Sequence, residues 1–496
     1  MQRLALAILA VPLALSTAHA DEATQSSPLP MPMSVRNPFK LEPAAEISNI
    51  IYLNRCATGC TITQSSNGTS SARNNQTWLG GDGAAGNPGS GAPGATYTIT
   101  PFGYDDASWD AMVQCVTDIY APYNVTITEV DPGPTVLHHE AIVAGVAADL
   151  GLNDGIGGVG PLDCMLHDDT VSFSFANVFP DNPAFLCAVV GQETGHGFGI
   201  EHTYNCSDPL AAGYVPGCGA YFFRNETVQC ANESSVGPRN CGCNAGGLQN
   251  VHGELTAAFG ASLVPLPPPD ATMNVPANGA TLPAGNQFTI SAVGDLERGI
   301  GRAELWFNGW KWLTIGATKS VQGAPYQNRT FVLTAPADLA DGVIDVEVRI
   351  YNDLETVYAS AAATVTKGAP CGSADDCAAG QLCDAGKCYW EPPVGQLGED
   401  CEYNQYCVTE VCAPEGVCSK DCIIGVSGDC PDLFECVDSG GGTSGVCLAI
   451  DSDEPGGCCS VGDETPTAGL LAQLGLAGLV LGGMMRRRRP STPRSP

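Results

Sequence analysis

Apolar residues fall in several different rhythms along the chain. Near the N-terminus EISNIIYLNRC places Ile47, Ile50, Ile51, Tyr52 and Leu53 in a short run that predicts a buried strand ending at Cys56. VQCVTDIYAPYNVTITEV then predicts a helix that stops before Pro122 and a strand with Val125 and Ile127 on one face. VSFSFANVF at 171–179 predicts another strand, and AFLCAVV before residue 191 is apolar all round, the mark of a helix buried on every side. LQNVHGELTAAFG, with Leu248, Val251, Leu255 and Phe259 at helical spacing, predicts a closing helix before the linker LVPLPPPD. Strands and helices are interleaved over 42–262, which predicts an α+β domain.

From 271 to 367 the period changes to two. QFTISAV, RAELWFNGWKWL, RTFVLTA, GVIDVEVRIYN and VYASAAATV alternate between turns and predict a small all-β sandwich resembling the immunoglobulin-like modules of surface proteins. That stretch has no cysteine, so an inter-sheet disulfide is excluded. Beyond it, CGSADDCAAGQLCDAGKC and CEYNQYCVTEVCAPEGVC form an internal repeat within 371–450. Large apolar residues are scarce there, so small disulfide-rich knots are expected and zinc knuckles are not, because no histidine accompanies the cysteines. GGDGAAGNPGSGAPG at 80–94 predicts a mobile surface loop.

The two ends carry targeting patterns. Residues 1–20 hold Arg3, an apolar core and Ala18-His19-Ala20 before Asp21, a secretory signal peptide, and 21–41 are a Pro- and Ser-rich leader. Ala468 to Met485 is an 18-residue apolar stretch, about 27 Å as a helix, and Arg486 to Arg489 follow it. The positive-inside rule then keeps that end in the cytoplasm and exports the rest. Gly457-Cys458-Cys459, the spacer, the apolar stretch and the arginines together resemble the myxobacterial C-terminal sorting tag MYXO-CTERM, which covers 451–496 and implies processing at Cys458 or Cys459. The tag resemblance implies a protein held at the cell surface or outer membrane, or released outside the cell, by way of a C-terminal hydrophobic sorting helix.

Composition agrees with export. The 24 cysteines fall as ten over 56–243, twelve over 371–447 and two at 458–459, even numbers that suit disulfides formed within each domain. A net charge of −32 excludes nucleic acid as a partner and gives a self-repelling extracellular surface. Calcium is a minor alternative for the carboxylates, because Asp105-Asp106 and Asp375-Asp376 lack the ligand spacing of a calcium loop. Several N-x-S/T triplets mark polar loops, and Ser-His-Asp or Cys-His catalysis has no local signature.

The remaining chemistry lies in GQETGHGFGIEHT, residues 191–203. On a helix, positions 192 and 196 face the same way, and Glu193 beside them can take a proton from a metal-bound water. Gly199 allows a sharp turn that brings His202 back toward the same point. This pattern, H-E-x-x-H-x-x-G-x-x-H with Gln192 in place of the first histidine, resembles the metzincin family of zinc endopeptidases. The resemblance implies zinc as cofactor, Glu193 as general base and His196 and His202 as ligands, with Gln192 at the position of the first ligand. It also implies an extracellular protein or peptide as substrate. Leu210 in CSDPLAAGY stands where the family carries a methionine beneath the metal. A carbonyl oxygen is a weaker zinc donor than imidazole. A substitute third ligand would have to come from Cys206, His138, His139, His167 or His252. Two functions remain open at this point: a surface-anchored zinc metallopeptidase that hydrolyses peptide bonds, and a catalytically inactive metzincin-like surface protein acting in adhesion or recognition.

Overall fold

The computed structural model describes residues 31–36 and 47–450, apart from 85, 214–217, 233–236, 317–326, 427 and 439–442. The signal peptide, most of the leader, Cys458, Cys459 and the 468–485 stretch lie outside the described residues. Among the described residues no helix is long and apolar enough to cross a membrane. The chain divides into two compact units, one through Val394 and one from Gly395.

The first domain is built on a six-stranded sheet. The strands that enter the argument are β1 (Met31–Arg36), β2 (Ile50–Asn54), β3 (Cys60–Gln64), β4 (Gln76–Thr77), β5 (Thr96–Ile99), β6 (Thr126–Thr128), β7 (His139–Val143), β8 (Ile156–Leu162) and β9 (Val171–Ser174). Their order in the large sheet is β1-β8-β9-β7-β2-β6, and every pairing is parallel except β8 with β9. Strands β4, β3 and β5 form a separate three-stranded layer. The alternation of strand side chains divides the core. Ala141 and Val143 of β7 face the helices, and Ile142 faces the core shared with Trp78, Leu79 and Ile99.

Three helices complete the domain: α1 (Asp106–Tyr120), α2 (Pro183–Gly197) and α3 (Val251–Phe259). Each starts on an Asp or Asn whose side chain accepts a backbone N–H, namely Asp105, Asn182 and Asn250. Helix α2 also has Pro183 in its first turn, and every residue from Leu186 to Gly197 is buried. Buried Trp109, Met112, Val116 and Ile119 of α1 join its apolar side chains in one core, and the Cys115–Cys187 disulfide staples the two helices across 72 residues of sequence. By the chain-entropy estimate a loop of that length contributes about 4 kcal/mol.

One expectation needs correction, and two segments gain detail. The leader supplies a strand, since β1 pairs with β8 along its six residues. Leu248 is 44% exposed and precedes α3 rather than lying on its buried face. The Gly-rich stretch at 80–94 has no regular structure, yet its ends are anchored: Gly81 N–H donates to Leu150 O at 2.9 Å, and a side chain on Gly80 would collide with Tyr97.

Strands from Asp270 to Lys367 form a three-stranded and a five-stranded sheet around Ile290, Leu305, Phe331, Val346, Val348 and Ile350. The first cysteine repeat follows within the same compact unit, with Cys371–Cys383 and Cys377–Cys388 bonded. In the second unit, Cys401–Cys412 with Cys407–Cys418, and Cys422–Cys436 with Cys430–Cys447, repeat the same first-to-third, second-to-fourth pairing. With every one of these thiols in a disulfide, the knots are covalent. All ten cysteines of the first domain are paired as well. Asp105 caps α1, Asp106 pairs with Arg55, and Asp376 accepts the Gly372 and Ser373 N–H groups. Three of the four aspartates considered for calcium therefore hold local structure.

Candidate functional site

Helix α2 carries Gln192, Glu193 and His196 into the interior beneath β8, where they are 1%, 0% and 0% exposed. The fit is close. A Cβ on Gly158 would lie 2.7 Å from Glu193 Oε1, and one on Gly160 would lie 2.2 Å from the Glu193 carbonyl and 2.9 Å from His196 Cβ. Glycine at these two positions is what lets the strand press onto the helix.

After Gly197 the chain leaves the helix through Gly199, whose φ is +80°. A Cβ there would also crowd Met165 N at 3.1 Å, so this glycine is required on both counts. The turn returns His202 to His196, with ring centroids 4.7 Å apart and planes tilted by 52°. His196 Nδ1–H donates to Ile200 O at 2.8 Å, which leaves the Nε2 lone pair as the ligating position. Burial lowers the His196 pKa to about 4 and that of His202 well below the usual histidine value, so both rings are neutral at pH 7.

Next to His202 is Glu201, which ties this turn to the 239–249 segment and which the sequence reading passed over. It is fully buried, and its carboxylate accepts from Gly242 N (2.5 Å), Cys243 N (2.7 Å) and Arg239 Nη1 (2.9 Å). Its backbone exchanges two hydrogen bonds with the Gln249 amide. The glutamate beside His202 gave no spacing signal, because its partners lie about 40 residues downstream.

Leu210 is fully buried against the helix, where a Cβ on Gly195 would meet its Cδ2 at 2.9 Å. The neighbouring Ala211 carbonyl accepts the Gln192 Nε2–H at 2.7 Å, so the amide nitrogen of the exchanged residue is spent on the chain beneath the helix.

Of the expected substitutes for a third ligand, four are bonded to other groups and His138 lines a separate cavity. Cys206 is bonded to Cys218. His139 uses both ring nitrogens, on Thr170 Oγ1 and Ser48 O, and His167 pairs with Asp163 at 2.6 Å. His252 Nδ1 is 3.0 Å from the Tyr123 hydroxyl. His138 lines a cavity with Glu140, whose side chain lies on the face of the sheet opposite Ala141 and the helices. Among the described residues, four groups of three His, Cys, Asp or Glu ligand atoms lie within 4.8 Å of one another. Three are cysteines of the knots, and the fourth is Glu201 with the disulfide-bonded Cys230 and Cys241. The donors at the 192–202 site therefore supply two imidazoles and an amide, which fits two of the three protein ligands a catalytic zinc requires.

No protein-family model and no curated protein matches the chain. Solved structures similar to it include the fibronectin(III)-like modules of Clostridium thermocellum CbhA, at 14% identity over 20% of this chain and 96% of that one, TM-score 0.15. A CARDB domain from Pyrococcus furiosus is similar at 12% identity over 21% of this chain and 98% of that one, TM-score 0.16. A lytic polysaccharide monooxygenase of Jonesia denitrificans is similar at 15% identity over 19% and 60%, TM-score 0.15.

Proposed function

We propose that this chain is an exported, surface-anchored protein whose first domain is metzincin-like but catalytically inactive, and that it acts outside the cell in adhesion or recognition. One observation carries the proposal. Gln192 replaces the first ligand and gives its amide N–H to Ala211, while Cys206, His139, His167 and His252 are each held by another group. Beside the two imidazoles the site offers only the Gln192 amide oxygen, a weak zinc donor, in place of the third strong ligand that holds a catalytic zinc. What remains serves structure: Glu193, His196 and Leu210 fill the space between α2, β8 and the 206–211 loop. The sandwich and the disulfide-linked cysteine knots suit a protein that presents surfaces outside the cell.

The enzyme reading has one specific point in its favour. Glu193, His196 and His202 all persist, and both rings are neutral with adjacent faces, the state a metal needs. If zinc did bind there, His196 and His202 would hold it, and it would supply Lewis acidity at that point. Incubating the purified chain with unfolded protein separates the two readings. We expect no cleavage from the natural chain, and cleavage that disappears in Glu193→Gln would overturn the proposal.

A further inference from the structure

On the opposite face of the sheet from α2 lies a second polar constellation, assembled by strand register. Tyr52 of β2 is the register partner of Glu140 of β7, and Asn54 follows Tyr52 on the same face. Asn54 Nδ2–H donates to Glu140 Oε1 at 2.7 Å. The other carboxylate oxygen, Oε2, is buried and has no hydrogen-bond partner among the described residues. Glu140 is 3% exposed and lines a cavity of about 140 Å3 together with Tyr52, His138, Asp131 and Arg73.

The cavity is poor in positive charge. Arg73 is its one cation, and its guanidinium is turned to Asp169 at 2.7 Å and Asp168 at 3.9 Å. His138 donates Nδ1–H to Val136 O at 2.9 Å, leaving Nε2 as an acceptor. A buried carboxylate oxygen with no donor is costly to keep, so a ligand that donates to it is favoured. Burial, with Asp131 nearby, pushes the Glu140 pKa up to about 7, and burial, with Glu140 and Asp131 nearby, pushes Tyr52 up to about 12.

We propose that this cavity binds a primary ammonium group, with Glu140 Oε2 as its anionic acceptor and His138 Nε2, Tyr52 Oη and Asp131 around it. A divalent metal is the weaker match. At 2.0–2.2 Å per bond its ligand atoms are drawn to within roughly 4.4 Å of one another, and no three of the Asp, His and Glu donors here lie within 4.8 Å. An ammonium needs one buried carboxylate and neutral acceptors at hydrogen-bond distance. The group would come from a lysine side chain or from a free α-amino terminus. The site is independent of the metal question, since it shares no residue with 192–202.

The test is calorimetric titration of the exported chain with Nα-acetyl-lysine amide, with a short peptide amide bearing a free α-amine, and with Nα-acetyl-norleucine amide as the neutral isostere. We expect one or both ammonium probes to saturate the protein, with their relative affinity identifying the source, and the isostere not to bind. Glu140→Gln should weaken binding at least tenfold, and the exposed-site variant Asp131→Asn should weaken it several-fold even if the first variant fails to fold. Between pH 7.5 and pH 6 affinity should fall roughly eightfold, because a group with pKa about 7 goes from about three-quarters to about one-tenth ionised. Absence of saturable binding, equal binding of norleucine, or a folded Glu140→Gln that binds unchanged would each refute the site. Zinc or manganese held at a Glu140-dependent site and not displaced by the lysine probe would also refute it.

Discussion

Asp353 offers a sharp test of how the first domain and the sandwich are joined. Its carboxylate is 4% exposed and is shared by two buried guanidiniums, Arg224 Nη1 at 2.9 Å and Arg298 Nε at 3.1 Å. Arg224 belongs to the first domain and also donates to Arg298 O (2.6 Å) and Ala220 O (2.7 Å), while Arg298 lies 4.5 Å over the Phe222 ring. Burial pulls the Arg224 pKa down and Asp353 opposes that shift. Replacing Asp353 with Ala leaves two like charges buried at the junction without their anion, a change that costs about 3–5 kcal/mol. Asp353→Asn retains one acceptor and should cost about 1–3 kcal/mol. With a urea dependence near 2 kcal/mol per molar for a domain of this size, the Ala variant should lower the unfolding midpoint by about 2 M. The assay is urea unfolding followed by tryptophan fluorescence, with limited proteolysis of the 263–270 linker in parallel. We expect the Ala variant to split the transition and expose the linker. A single transition shifted by less than about 0.3 M would show that the ion cluster contributes nothing to the junction.

Other outcomes follow from the same geometry. Gly160→Ala places a methyl 2.2 Å from the Glu193 carbonyl, so β8 must lift off α2, and circular dichroism with protease sensitivity should report loss of the native first domain. Glu201→Gln weakens the anchor of the 239–243 loop by about 1–3 kcal/mol. It should lower the thermal midpoint without changing the cysteine knots, as read by disulfide mapping. For pH, Glu140 has a folded pKa of about 7, above its ordinary 4.5. Its contribution is therefore fully present below about pH 4.5 and is lost as pH rises through 7. The stability of Glu140→Gln relative to the parent should rise over that window, by about 3 kcal/mol in denaturant titrations.

The elements legible in the sequence were those whose burial writes a period into the chain. Helix α2 announced itself through AFLCAVV and α1 through its stop before Pro122, and the sandwich through strict alternation over 271–367. The pairing pattern of the knots was not legible, because four cysteines admit three connectivities, although the repeat itself was. The close approach of His196 and His202 followed from the turn at Gly199. What spacing does not record is long-range partnership. Glu201 gains its role from backbone groups at 242 and 243, Gln192 from Ala211, and Glu140 from register with Tyr52 across 88 positions of chain. Strand β1 was missed although Met31, Met33 and Val35 alternate with Pro32, Ser34 and Arg36, because six residues in a Pro- and Ser-rich stretch are too short a run to stand out, and the pairing that orders them is with β8, more than a hundred positions along the chain.

Zinc content of the natural chain against Gln192→His bears most directly on the two-ligand site. After equilibration with micromolar zinc and dialysis, elemental analysis should find well under one equivalent dependent on His196 in the natural chain and close to one in Gln192→His. One tightly held equivalent in the natural chain, lost in His196→Ala, would contradict the account.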